Sequence, residues 1–172
     1  KIIWRSLYVG LSFSMCLAFL LGSGIWIFLF QVDFLGLMLV LIGLLLSVGF
    51  SSIAFLAALL AKDKAKGIGL AIFCWLFFAI VYDALILFLL FQFSEYPIEK
   101  MMIAISFLNP IDLARILLLM QLDVSALMGY TGAIFKDFFG TIYGIGISYL
   151  GLLLWIFVPY FFSESIFRKI DL

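Results

Sequence analysis

Four long apolar stretches constrain the fold of this chain more than any other feature of its sequence. Each is at least as long as the ~20 apolar residues that an α-helix needs to cross the hydrocarbon core of a bilayer. Because lipid offers no water to unpaired backbone amides, stretches of this length are expected to be helical. In chain order they are Leu7–Phe30, Phe34–Ala61, Gly67–Phe93 and Phe138–Phe162. The sequence therefore predicts an all-α fold, a polytopic transmembrane helical bundle with four spans.

The composition agrees with a single transmembrane domain over residues 1–172. Hydrophobic residues make up 67% of the chain and charged residues 12%, far from the balance of a soluble protein. With four spans in a chain of this length, one bundle is the expected organisation. The two cysteines, Cys16 and Cys74, lie in separate spans and provide no disulfide framework.

The complete absence of histidine excludes several kinds of active site. No HExxH zinc site, Ser-His nucleophile pair or His-ligated haem can be built from this chain alone. The sequence also lacks a GxxxxGKS/T stretch, so it has no P-loop for nucleotide phosphates. We expect no catalytic residues, no cofactor and no enzyme activity. If ATP drives a process here, another polypeptide binds it.

Sulfur side chains are a separate question, because soft ligands suit Cu(I). Among the methionines only Met101 and Met102 are adjacent, and the two cysteines are scattered in apolar runs. Methionine and cysteine commonly pack as ordinary core hydrophobes. Apolar packing is therefore the favoured interpretation, and no metal site is predicted.

The cations are distributed unevenly between the two sides of the predicted bundle. One side would carry seven of them, and the other would carry Lys100, Arg115 and Lys136. Cytoplasmic loops are enriched in Lys and Arg, so this asymmetry predicts that both ends of the chain are cytoplasmic. We interpret the cationic loop at 62–66 as an orientation signal that contacts lipid headgroups, with a specific partner site as the alternative.

The connection between the third and fourth spans, residues 94–137, is much longer than the other connections. Its longest uncharged run is shorter than a bilayer crossing. A helix is predicted to start at Ile111, after the turn signal Asn109-Pro110. One face of that helix has the spacing of a buried stripe, formed by Leu113, Ile116, Leu117 and Met120.

A second short helix is predicted in the same connection. Asp123 is placed to cap its start and Gly129 to end it. Together the two helices would form an external re-entrant helical hairpin before the last span. Backbone at membrane depth must be covered by protein or water, so this hairpin should pack against the other spans or a second copy of the chain.

Two runs in this connection resemble a known family. They are Phe107–Arg115, FLNPIDLAR, and Gln121–Phe135, QLDVSALMGYTGAIF. They resemble the permease subunits of the ABC transporter that assists nitrous oxide reductase maturation (NosY-like permeases), within the ABC-2 permease superfamily. The flanking spans agree with that family mainly in hydrophobicity and placement.

The resemblance implies a six-span permease that works as a homodimer in the bacterial inner (cytoplasmic) membrane. This chain would supply the last four spans, and the absence of an initiator Met agrees with a truncated or partly represented permease. The implied partners are membrane lipid, a second copy of the permease, cytoplasmic ATPase subunits and an outer-side (periplasmic) accessory protein. No nucleic acid partner is expected. The family's N-terminal helix, first two spans and following cytoplasmic connection have no counterpart here, so ATPase docking residues stay unassigned.

The function implied by the resemblance is transport of a copper- or sulfur-related cargo by alternating access, in support of nitrous oxide reductase maturation. The cargo and the transport direction stay open. The alternatives are an ABC-2 permease for a lipid, polymer or drug, and a membrane scaffold that anchors partners without transporting anything.

Asp83 is the first candidate site residue, because it is a carboxylate deep inside a predicted span. Such a placement costs about 2.5–3.5 kcal/mol on insertion scales, so a partner is expected. Asp83 is interpreted either as a cargo-path or gating residue, or as a structural residue bonded to Tyr, Ser or backbone of a neighbouring span.

Four residues of the long connection are expected to position it or to contact a partner. Arg115 could meet an outer partner or an anionic cargo, although Asp112 lies three residues away and is the favoured partner. The four candidates are Asp112, Arg115, Asp123 and Tyr130.

Overall fold

A computed structural model describes residues 2–30, 34–61, 63–93, 99–121, 136 and 138–170. All regular secondary structure in these ranges is helical. The helices are α1 (Ile2–Phe30), α2 (Phe34–Ala61), α3 (Lys64–Leu76), a π-helical turn (Phe77–Val81), α4 (Tyr82–Gln92), α5 (Glu99–Ser106), α6 (Pro110–Gln121) and α7 (Ile142–Ile170). The π turn joins α3 to α4 without a break, so residues 64–92 form one long helix.

Four of these helices are long and apolar enough to cross a membrane, which confirms the predicted all-α polytopic helical bundle. The candidate spans are Trp4–Ile25, Gly36–Ala61, Lys64–Gln92 and Ile142–Arg168. Large apolar side chains such as Phe91 stand outside the protein core, 82% exposed. On a membrane-spanning helix such side chains face lipid.

The last helix runs from Ile142 to Ile170, whereas the predicted span was 138–162. The start is fixed by Thr141, whose Oγ1 accepts a hydrogen bond from the Gly144 N–H at 3.0 Å. This is the bond that an N-cap threonine supplies to the first helical turn. The apolar run gave no sign of that cap.

The segment before the last span is only partly as predicted. The helix expected from Ile111 is confirmed as α6, starting one residue earlier at Pro110. Its stripe is buried at Leu113, Ile116 and Leu117, whereas Met120 is only half-buried. Helix α5 was not predicted. The second predicted helix, between Asp123 and Gly129, lies outside the described residues.

The chain divides into two compact units. The first comprises Lys1–Cys74 with Leu153–Leu172, and the second comprises Trp75–Leu152. In the first unit, Trp4 is almost fully buried between two rings: it stacks on Phe167 at 4.9 Å between centroids and meets Phe55 edge-on at 4.7 Å. Aromatic pairs at this spacing add to the stabilisation from burial alone.

A polar group in the first unit lies beside this aromatic cluster. Glu164 accepts hydrogen bonds from Arg168, one turn further along α7, at 2.8 Å and from Arg5 of α1 at 3.2 Å. The Tyr8 and Ser52 hydroxyls lie 2.6 Å apart and link α1 to α2. The Arg5–Glu164 bond thus links α1 to α7 within this unit, and the Tyr8–Ser52 bond links α1 to α2.

In the second unit, α6 packs against α7 through a glycine. A Cβ atom at Gly151 would lie only 2.8 Å from Leu113 Cδ2 and 3.0 Å from Phe107 Cδ1. The missing side chain therefore allows the buried stripe of α6 to approach the α7 backbone, as is common where membrane helices pack closely.

Candidate functional site

The second unit contains a group of polar side chains around the start of α6. We call it the polar cluster and define it as Asp83, Asn109, Asp112 and Arg115. Asp83 belongs to the third span, in the first turn of α4, whereas the other three residues cap or lie on α6. The cluster therefore connects the third span to the helices that precede the last span.

Asn109 bonds to both of these elements and is completely buried. Its Oδ1 accepts a hydrogen bond from the Ile111 N–H at 3.0 Å, which caps α6. Its Nδ2 donates to the Phe78 carbonyl oxygen at 2.9 Å. Phe78 lies in the π turn, where the hydrogen-bonding register of the helix changes. One amide thus fixes the start of α6 to an irregular point in the third span.

Arg115 lies one turn further along α6 and forms the shortest ion pair of the cluster. Its Nη1 is 2.7 Å from Asp83 Oδ2 and 4.0 Å from Asp112 Oδ1. The expected partner Asp112 is within reach, but the contact to Asp83 of the third span, which was not expected, is the closer one. Charge-assisted bonds of this length are the strong ones, so Arg115 is held mainly by Asp83.

Asp112 is the most buried charge of the cluster, with 7% of the residue exposed. Burial raises the pKa of its carboxyl above the ordinary value of 3.8. The nearby Arg115 lowers that pKa, Asp83 raises it, and hydrogen bonding with Ser106 lowers it. Burial disfavours the charged form, and in this group it outweighs the guanidinium.

Helix α5 is attached to the same region. The Tyr82 hydroxyl, next to Asp83, donates to the Ile105 carbonyl oxygen at 2.6 Å. Ser106, the last residue of α5, is fully buried and donates to the Met102 carbonyl oxygen. Both short helices are therefore bonded to the third span or to the polar cluster.

Three of the five predicted site residues meet in this cluster: Asp83, Asp112 and Arg115. Asp83 is paired as expected, but its partner is an arginine and not the tyrosine, serine or backbone group that was anticipated. Asp123 and Tyr130 lie outside the described residues.

Asn109 was predicted only as part of a turn, and no role was predicted for Ser106 or Tyr82. An Asn before Pro at the start of an apolar-periodic segment is a cap signal that could have identified Asn109. No comparable signal exists for Tyr82, since its bond to Ile105 spans 23 positions and depends on the fold.

The cluster holds two carboxylates and one guanidinium. Within the described part of the chain, no group of three or more His, Cys, Asp or Glu side chains is arranged to hold a metal ion. Arg115 lies near a carboxylate of the third span, Asp83, and near one of its own helix α6, Asp112. This arrangement suits an ion pair between α6 and the third span that can be made and broken.

No protein-family model matches the chain, and no curated protein matches it.

Proposed function

We propose that this chain is the membrane-spanning permease subunit of an ABC transporter, acting in nitrous oxide reductase maturation on a copper- or sulfur-related cargo. The proposal is supported by the contacts that residues of the FLNPIDLAR run, Phe107–Arg115, make in the structure. Asn109 and Arg115 of that run bond α6 to the third span, and Asp112 lies beside Arg115 on the same helix. The first of the two resembling runs thus contains the start of α6 and its bonds to the third span.

Helix α6 also supports the proposal. The resemblance implies a helical hairpin before the last span, and α6 lies where the first helix of that hairpin is expected. Its bonds to the third span through Asn109 and Arg115 agree with the expectation that the hairpin packs against the other spans.

In the proposed mechanism, two copies of the permease form a path, and separate cytoplasmic ATPase subunits bias it between inward-open and outward-open states. A ligand or partner biases such an equilibrium only through unequal affinity for the two states. In this mechanism the Asp83–Arg115 ion pair couples the two short helices, α5 and α6, to the third span, so that they move when the third span moves. An outer-side protein engages these helices.

The proposal is tested by co-expressing the full chain with candidate ATPase subunits. We expect co-purification, stimulation of ATP hydrolysis, and loss of the reductase metal centre in a strain that lacks the permease. Co-purification with an intact metal centre would instead indicate a permease for another cargo. Failure to bind or stimulate any ATPase would favour the scaffold function.

The role of the ion pair is tested in the same strain. Asp83→Arg and Arg115→Asp should each reduce maturation of the reductase, since each places like charges together. The double variant restores opposite charges and should recover part of the activity. If the double variant is no better than the single ones, the pair does not act as a link.

The proposed topology is tested by labelling single cysteines after Cys16 and Cys74 are replaced by serine. Ser125→Cys should react with an impermeant reagent added outside the cell, and Ala65→Cys should react only after permeabilisation. Labelling of Ser125→Cys from the cell interior would overturn both the topology and the permease assignment.

A further inference from the structure

A pocket of about 750 Å³ lies in the first unit, where α2 ends and α3 begins. Its volume is within the ~300–1,000 Å³ typical of small-molecule sites. Most of the wall is apolar and comes from side chains of both helices, and Lys64 and Asp63 line it at the turn between them. The wall residues include Ala54, Ala58, Leu59, Ile68 and Ala71.

The pocket lies beside a close contact between the two helices. A Cβ atom at Gly67 would be only 3.1 Å from Ala58 Cα, so the helices approach one another closely there. The alanines of α2 and α3 are too small to fill the space that remains beside this contact. The result is an apolar space with its charged end at the first turn of α3.

The charged end lies where two candidate spans leave the bilayer, since one ends at Ala61 and the next begins at Lys64. In the described part of the chain, Lys64 makes no ion pair and is exposed. The stretch 62–66 has three lysines and one aspartate. The start of a helix adds a partial positive charge. This end therefore attracts an anion at the depth of the lipid headgroups.

We propose that the pocket binds one anionic phospholipid. An acyl chain lies against Ala54, Ala58 and Ala71, and Lys64 pairs with the phosphate. The apolar wall matches the lipid tail and the cationic end matches the headgroup, as in recognition of anionic lipids by basic residues next to a membrane span. The inference is independent of what the protein transports.

The test uses the purified full chain in detergent, incubated with phosphatidylglycerol or phosphatidylcholine. Retained lipid is counted by native mass spectrometry. We expect preferential retention of phosphatidylglycerol, and a loss of about fivefold with Lys64→Gln, the effect of one cation near an anionic headgroup. Lys66→Gln is the matched control, because it removes the same charge from the same first turn of α3 but does not line the pocket.

A second pair of variants tests the apolar wall without changing any charge. Ala71→Phe fills the pocket and should reduce retention of phosphatidylglycerol. Ile72→Phe enlarges the neighbouring side chain, which is 53% exposed and outside the pocket lining, and should leave retention unchanged. Asp63→Asn removes a charge that repels the phosphate, so it should increase retention. A misfolded protein would not show such a gain.

Three results would overturn the proposal. Equal retention of the two lipids would remove the headgroup preference. An equal loss in the Lys64 and Lys66 variants would indicate diffuse attraction to the whole loop. If Ala71→Phe retained as much phosphatidylglycerol as the native protein, no acyl chain would occupy the pocket.

Discussion

The Asn109 side chain donates a hydrogen bond to the Phe78 carbonyl oxygen over 2.9 Å, and so connects the start of α6 to the π turn of the third span. A π turn locally widens a helix and recurs at functional sites. Here a buried amide on a neighbouring element bonds to it. The polar cluster is thus organised by one residue that bonds to two helices.

Replacement of Asn109 tests this connection. We expect Asn109→Ala to lower the free energy of unfolding by about 1–3 kcal/mol, because α6 loses its cap and Phe78 loses its donor. Unfolding of the purified protein by SDS titration in detergent micelles measures the change. Leu108→Ala is the control, since Leu108 is 61% exposed.

The two bonds of Asn109 are separated by Asn109→Asp. The carboxylate keeps an acceptor for the Ile111 N–H but cannot donate to Phe78. This variant should therefore stay less stable than the native protein. Native stability in Asn109→Asp would show that the bond to the π turn contributes nothing.

The unequal contacts of Arg115 lead to a second prediction. A double-mutant cycle with Asp83→Asn and Arg115→Gln should give a coupling energy of about 0.2–1 kcal/mol, the range for partly exposed ion pairs. The same cycle with Asp112→Asn should give less, because that distance is 4.0 Å against 2.7 Å. Stronger coupling to Asp112 would contradict the geometry.

The third prediction concerns pH. The pKa of Asp112 is raised in the folded protein by burial, so between its ordinary value of 3.8 and the raised value the folded state binds more protons than the unfolded state. Stability contributed by this group therefore falls as pH rises through that window. The charged groups facing Asp112 are Arg115, which opposes the shift, and Asp83, which increases it.

Melting temperatures of the native protein and of Asp112→Asn, measured from pH 3.5 upward in one detergent, test this dependence. The native protein should lose stability relative to the variant as pH increases. The difference should stop changing once the carboxyl is ionised in both states. A difference between the two proteins that stays constant with pH would mean that burial does not control Asp112.

The glycines of α7 provide a fourth prediction. Gly151→Leu should destabilise the protein by about 1–3 kcal/mol, the usual cost of overpacking, because its side chain would collide with Leu113 and Phe107. Gly146→Leu is the matched control in the same helix, since no atom lies within 4 Å of a Cβ there. It should be neutral or stabilising, because leucine favours helix more than glycine does. Thermal unfolding in detergent distinguishes the two, and equal effects would argue against packing of α6 on α7.

The long helices could be predicted because their signal is local. The stretch from Phe34 to Ala61 is mostly apolar and carries no charged residue, and helix α2 has these same bounds. Helix α6 was also predictable, since a proline opens it and its apolar residues recur at helical spacing. Helix α5 has a short and weak pattern, and the cap at Thr141 is hidden within an apolar run.

Some of the residues that form the candidate site were predictable, because charged residues in an apolar chain are rare and each requires a partner. Asp83, Asp112 and Arg115 could therefore be predicted as candidates. Their arrangement could not. The favoured partner of Arg115 was the neighbour in sequence, whereas the closest carboxylate is 32 positions away.

The sequence by itself determined that this protein is helical and built for a bilayer, because hydropathy and backbone hydrogen bonding act over consecutive residues. Only the tertiary structure decided which charges pair, as with Asp83 and Arg115 or with Arg5 and Glu164, which are 159 positions apart. It also decided that Asn109 meets the π turn. The physical reason is that an ion pair or a side-chain hydrogen bond depends on distances of about 3 Å, and packing alone brings distant residues that close.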